Sequence, residues 1–241
     1  MKLSTAWINE YCSSNLQSNQ IVDELTMSGN ECELIDKNGK EIIKFDITPN
    51  RADCFSIRGI SNELVAIGLI KKLKIISRNA QIHHDEISKI KVSSFHDCPI
   101  FATRIIKNID INSKTPPEIK QKLEDAGYKS INIIVDITNY IMLLVGQPLH
   151  AYELNAIEQP ITVRKANAKE TIELLDGSIK NLNDNYLIIA DKNKPLSIAG
   201  IMGGIDSSIN NQTKDILVES ANFNSEAIIG RPRMLNLHTE A

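Results

Sequence analysis

Four segments of the chain set polar groups among apolar neighbours, and their residue types are the ones that could do chemistry. Thr138 and Asn139 interrupt SINIIVDITNYIMLLV, His150 follows in the loop GQPLHAY, AGIMGG runs from Ala199 to Gly204, and Glu219 stands inside DILVESA. Each has a plain structural reading: a histidine after a helix can cap it, an asparagine on a helix can bond locally, and clustered glycines can make a tight turn between strands. Glu219 is more informative, because a carboxylate flanked by Leu217, Val218 and Ala221 needs a partner. An unpaired charge in such a strand is costly.

Common catalytic signatures are missing. AGIMGG fits neither the dinucleotide fingerprint nor the phosphate-binding loop, and the chain holds no G-x-S-x-G elbow and no H-E-x-x-H helix. Cys12, Cys32, Cys54 and Cys98 are far apart, with no C-x-x-C pair and no histidine at ligand spacing. That pattern argues against a disulfide framework and a structural zinc site, and reads as buried thiols. A metal hydrolase would need three convergent ligands, which two separated polar residues do not supply. Spacing alone stops at an α/β binding or hydrolytic domain with a polar pocket.

The elements that must position these residues fall into two groups. Ile21, Val22 and Leu25 share a helical face before Gly29, the second of two short helices, and EIIKFDI reads as a strand. After the turn TPNRADCF, Ile57, Ile60, Leu64 and Ile67 form an apolar stripe on a helix reaching about Leu69. Residues 1–77 thus make a small helix-rich module. Residues 78–93 are polar and charged and read as a linker with exposed His83 and His84. Residues 94–241 make a larger domain. It opens with the strand IFATRIIKNI and a helix after Ser113 and the Pro116-Pro117 pair, closed by Gly127. A second helix follows, with Ile133, Ile137, Ile141 and Leu144 expected inward and Asp136, Asn139 and Tyr140 off that stripe. Beyond Pro160, ITVRKA, TIELLDG, YLIIAD, PLSIAG and DILVESA read as strands, with Asp176-Gly177 turning a hairpin, and the chain from Asn224 on reads as helical. The fold class is mixed α/β (α+β).

Composition excludes several function classes. The chain has 241 residues, 42% apolar and 24% charged, enough to bury a core. No apolar run approaches the roughly 18 residues that span a bilayer, and MKLSTAWINEYC lacks the apolar stretch of a signal peptide, so a cytoplasmic protein without a membrane is expected. With 27 basic and 30 acidic residues the formal charge is -3, which leaves no basic excess to hold long DNA or RNA. Any nucleic-acid contact should be local.

DITPNRADCFSIRGISNEL, VDITNYIMLLVGQPLHAYEL, IAGIMGG followed by TKDILVESANF, and R-x-x-x-L-x-LHTEA resemble, in that order, the N-terminal half of the bacterial phenylalanyl-tRNA synthetase beta subunit. The resemblance covers nearly the whole chain and implies an N-terminal helical module followed by an editing domain. Three departures stand out. The tRNA-binding barrel usually inserted in the first module has no room in the 14 residues between Asn30 and Phe45. The chain stops at Ala241, inside a motif that the family continues, as a fragment or a short form would. Lys129 stands where the family often has arginine, keeping charge without the planar guanidinium fork.

What the resemblance implies is hydrolysis of tyrosine misattached to phenylalanine tRNA. Glu219 would accept the phenolic hydrogen bond; His150, Thr138 and Asn139 would line the pocket near the terminal adenosine and the ester. Ala199, Gly200 and Gly203 would allow close backbone approach, Thr239 and Ala241 would close the amino-acid side, and Lys129 would meet phosphate. His150 acts as a general base or as a positioning group, with positioning favoured because no acidic residue stands nearby in sequence to orient it. No cofactor is expected in this segment; ATP and Mg belong to the whole ligase, a heterotetramer with the alpha subunit as partner. The alternative is a non-catalytic tRNA-binding or subunit-scaffold module.

Overall fold

The computed structural model describes residues 1–37, 39–71, 73 and 80–237. Its contacts divide the chain into two units, Met1–Gln81 with Ser113–Pro148, and Ile82–Asn112 with Leu149–Ala241.

The first unit begins with β1 (Lys2–Ser4), α1 (Thr5–Cys12) and α2 (Ser18–Met27), then β2 (Cys32–Lys37), β3 (Lys40–Phe45) and α3 (Ile57–Ala66). Ser4 and Ser56 cap α1 and α3 by accepting the Trp7 and Gly59 amides, which satisfies donors that a first helical turn leaves open. β3 pairs with β1 on one side and β2 on the other, a small antiparallel sheet that only EIIKFDI announced in the sequence. Two further helices complete the unit, α4 (Pro117–Ala126) and α5 (Ile133–Val145). Leu123 of α4 and Leu143 of α5 are buried in one cluster with Leu3, Trp7, Ile21, Ile43 and Leu64. The boundary expected near residue 80 therefore follows composition but not packing: these two helices find their apolar partners 60 to 140 residues upstream, roughly, a distance no local pattern encodes.

The inward face of α5 corrects the expected stripe. Ile137 is 39% exposed, whereas Asp136 and Leu143 are buried and Tyr140 packs against the core, stacking on Trp7 at 5.5 Å. The helix is apolar nearly all round, so spacing could not choose a face. Asp136 turns inward because donors await it: Ser130 Oγ at 2.6 Å, Thr115 Oγ1 at 2.5 Å and the Ile131 amide at 2.9 Å.

The second unit contains β4 (Ile90–Val92), β5 (Ile100–Ile106), β6 (His150–Glu153), β7 (Ile161–Lys165), β8 (Thr171–Glu173), β9 (Ile179–Asn181), β10 (Leu187–Ala190), β11 (Pro195–Ile198), β12 (Met202–Gly203) and β13 (Ile216–Asn222), with α6 (Ser225–Ile228) and α7 (Arg231–Met234) near its end. A five-stranded sheet has the order β12-β11-β10-β7-β4, and β4 runs parallel to β7, so part of the expected linker is a strand. A three-stranded sheet has the order β5-β13-β6. Asp176 accepts the Ser178 amide in the β8–β9 hairpin, as its Asp-Gly pair leads one to expect.

Burial explains the strand compositions. All four residues of β10 are buried, because its sheet is covered on both faces. Leu187 and Ile189 join Ile161, Val163 and Leu196 in the cluster shared with Ile105, Tyr152 and Leu217 of the other sheet, while Ile188, Ala190 and Ile198 join Ile172, Leu182 and Leu235 on the opposite side. β5 lies at an edge and alternates instead, with Phe101, Thr103 and Ile105 less exposed than their neighbours.

Trp7 is the chain's single tryptophan and sits in the first core. Leu123→Ala should destabilise the unfolding transition reported by Trp7 fluorescence by about 2–5 kcal/mol. A tryptophan transition unmoved by that substitution would show that residues 113–148 do not belong to this core.

Candidate functional site

β13 is the middle strand of its sheet, and its register sets the site. Glu219 lies opposite Thr103 of β5 and opposite His150 of β6, while Leu217 lies opposite Tyr152. Directly paired residues point to the same face, and so do residues two apart on one strand. His150, Tyr152, Leu217 and Glu219 therefore all point to the face that carries the buried cluster.

Glu219 is 6% exposed, and its Oε2 accepts a hydrogen bond from the Tyr152 hydroxyl at 2.5 Å. The Tyr152 oxygen lies 2.8 Å from Ser197 Oγ of β11. His150 packs edge-on against the Tyr152 ring with centroids 4.4 Å apart, and its Nε2 is buried without a hydrogen-bond partner. Gly203 makes room for that imidazole: a Cβ there would stand 2.5 Å from His150 Cε1 and 2.7 Å from Nε2. At Gly200 the requirement is conformational, since φ is +64°, and an added Cβ would also come within 3.2 Å of Phe223.

The electrostatics follow from dryness. Burial pushes the Glu219 carboxyl up to about 7, with the Tyr152 hydrogen bond pulling it partly back. Burial pushes His150 down to about 4, so its ring is neutral at pH 7. Burial, with Glu219 close by, holds the Tyr152 phenol well above its usual range, so it stays a donor. Burial also raises Cys98, which lies near Glu219, to about 11. All four cysteines are buried free thiols, in keeping with their spacing.

Of the expected site residues, the fold brings His150, Gly203 and Glu219 together. Ala199 is buried in the apolar cluster, and Gly200 turns the chain between β11 and β12. Thr138, Asn139 and Lys129 belong to the other unit, where Thr138 Oγ1 donates to the Val135 carbonyl of its own helix. Thr239 and Ala241 lie outside the described residues. Tyr152 and Ser197 were not anticipated. Tyr152 was discoverable, because HAYE read as a strand places it two residues from His150 on the same face; reading that segment as a loop hid the relation.

Among the described residues, Asp53, Cys54 and Glu63 of the first unit also bring ligand atoms within 4.8 Å of one another. A cation already serves them: Arg51 Nη2 reaches Asp53 at 2.9 Å, Glu63 at 2.6 Å and Cys54 Sγ at 3.0 Å.

Residues 97–241 match the family model described as the B3/4 domain. The chain belongs to the B3/4 domain family. Over 202 residues, 83% of its length, it is 45% identical to the phenylalanine–tRNA ligase beta subunit of Pseudoalteromonas translucida, and over 201 residues 44% identical to that of Haemophilus influenzae. The chain is thus a homologue of the bacterial phenylalanine–tRNA ligase beta subunit, of which it spans about a quarter, 25% of each relative's length. A crystal structure of an N-terminal fragment of the phenylalanyl-tRNA synthetase beta subunit from Pyrococcus horikoshii gives a TM-score of 0.49 at 14% identity, covering 95% of this chain and 69% of that one. The B3/4 domain holds the His150–Tyr152–Glu219 face within its matched span.

Opposite pH dependences follow for the two dry groups. Glu219, raised from 4.5 to about 7, contributes stability at low pH that is lost as the pH rises through 7. His150, lowered from 6.5 to about 4, contributes stability above 6.5 that is lost as the pH falls through 4. Glu219→Gln keeps an acceptor for Tyr152 and removes the carboxyl titration. Its stability relative to the native chain should rise by on the order of 3 kcal/mol between about pH 4 and about pH 9, read from urea melts. A difference independent of pH would contradict the burial of a titrating carboxyl. Gly203→Ala should displace His150 and destabilise the domain by about 1–3 kcal/mol in the same melts, and an unchanged midpoint would mean that the imidazole has room to move.

Proposed function

We propose that the B3/4 domain of this chain hydrolyses the ester of tyrosine misattached to phenylalanine tRNA, as part of a phenylalanine–tRNA ligase beta subunit. One observation carries this reading: a carboxylate buried on a central strand, with a neutral histidine opposite it, is already bonded to a phenol. The identity of its relatives supports it. A synthetic pocket shaped for phenylalanine rejects tyrosine by only about a hundredfold, since an added hydroxyl on an isosteric ring clashes little, and accuracy then needs a second site. A site that recognises the hydroxyl itself discriminates far better, because a phenylalanine ring leaves a buried acceptor without its donor. Glu219 has the burial and the acceptor chemistry for that selection.

His150 serves this reaction as a positioning group. An imidazole held at about 4 is a poor base at neutral pH, yet its unpaired Nε2 can bond a ligand hydroxyl or a water. The ester is already activated, so an oriented water suffices without a covalent intermediate. Thr138, Asn139 and Lys129 keep their expected roles toward the tRNA acceptor end as part of the proposal. ATP, magnesium and the alpha subunit belong to the ligation reaction of the whole enzyme and enter no step here.

The test is release of tyrosine and phenylalanine from the corresponding charged phenylalanine tRNAs by the purified chain. The native chain should release tyrosine preferentially. Glu219→Ala should lose that preference by about 10- to 100-fold, and His150→Ala should slow release. Equal release of both amino acids would sink the reading, and tRNA binding without release would make the domain a binding module.

A further inference from the structure

A carboxylate has two oxygens and about four lone-pair sites, and the structure assigns only part of that capacity in Glu219. Oε2 accepts from Tyr152 at 2.5 Å. The phenol has one proton and gives it to Glu219, so the Ser197 hydroxyl, 2.8 Å away, must donate to the phenol oxygen. Ser197, Tyr152 and Glu219 thus form a directed chain of hydrogen bonds from β11 through β6 to β13. Oε1 has no donor among the described residues.

We infer that Tyr152 is a positioning residue for specificity: its hydroxyl donates to Oε2 of Glu219, favours the carboxylate over the acid, and leaves Oε1 as the acceptor for the ligand's phenol. The inference rests on the tyrosine-selective reading above. Among the described residues, the groups facing Glu219 from the packed elements are His150 and Tyr152 on β6, Ser197 on β11, Thr103 on β5 and Cys98 just before β5. None is a cation at neutral pH, since burial keeps His150 neutral. The phenol's hydrogen bond is therefore the interaction that favours the carboxylate over the acid. Without it a protonated Glu219 can donate as well as accept, and the demand for a donor on the ligand, which excludes phenylalanine, weakens.

The discriminating variant is Tyr152→Phe, which keeps the ring and removes the hydroxyl. Two measurements apply to it: carboxyl-carbon NMR titration of glutamate-labelled chain, and the ratio of tyrosine to phenylalanine release across pH. The Glu219 titration should move up by on the order of one to two pH units, the size of a charge-assisted hydrogen bond. The release ratio should fall about tenfold at neutral pH and recover as the pH rises and the carboxyl ionises. Ser197→Ala should shift the titration in the same direction by less, and serves if Tyr152→Phe does not fold. A residue that only fills space would leave the titration unmoved, and that result overturns the inference. So does a higher tyrosine preference in Tyr152→Phe, which would make Tyr152 a competitor of the ligand. If the native chain shows no tyrosine preference, the functional reading fails, while the titration still decides whether Tyr152 favours the ionised form of Glu219.

Discussion

One carboxylate taken out of water governs the second unit. Glu219 cannot turn away from the core, because its strand is hydrogen-bonded on both sides and alternation sends its side chain to the same face as Leu217. Dehydration favours the neutral acid, and a phenol and a serine hydroxyl are what the surrounding strands supply in place of water. The same dryness keeps His150 neutral. The chemistry open to the face is consequently that of hydrogen-bond recognition, with one strong acceptor and one neutral imidazole, more than that of proton transfer between charged groups.

The layers around this face maintain that condition. The five-stranded sheet presents Val163, Ile189 and Leu196 toward Tyr152 and Leu217, so the carboxylate sits at the margin of an apolar core. β10 can be apolar at every position because its second face is covered by Ile172, Leu182 and Leu235. Gly203 contributes by what it lacks: with no Cβ, the backbone of β12 comes close enough for the His150 ring to pack against it.

Much of this was legible in the residues. The Glu219 argument needed only a charge among Leu217, Val218 and Ala221, and the strands from Ile161 onward followed from short apolar runs and turn residues. The face of α5 was not legible, since IIVDITNYIMLLV is apolar on nearly every side, and the inward side was decided by three hydrogen-bond donors waiting for Asp136. The short strand β6 was hidden by the Gln-Pro pair before it, which reads as a loop. With that strand unread, Tyr152 could not be seen beside His150.

The sequence by itself determined the mixed fold class, the run of strands after Pro160, the buried thiols and the need for a partner at Glu219, because these depend on composition and on periods of a few residues. Its four ordered motifs also pointed to the bacterial phenylalanine–tRNA ligase beta subunits to which the chain is similar. Only the tertiary structure decided which partner Glu219 has, that His150 lies opposite it, and that Ser113–Pro148 packs with the N-terminal residues. Those are long-range pairings, set by strand register and by the fit of apolar faces, and no local spacing encodes them.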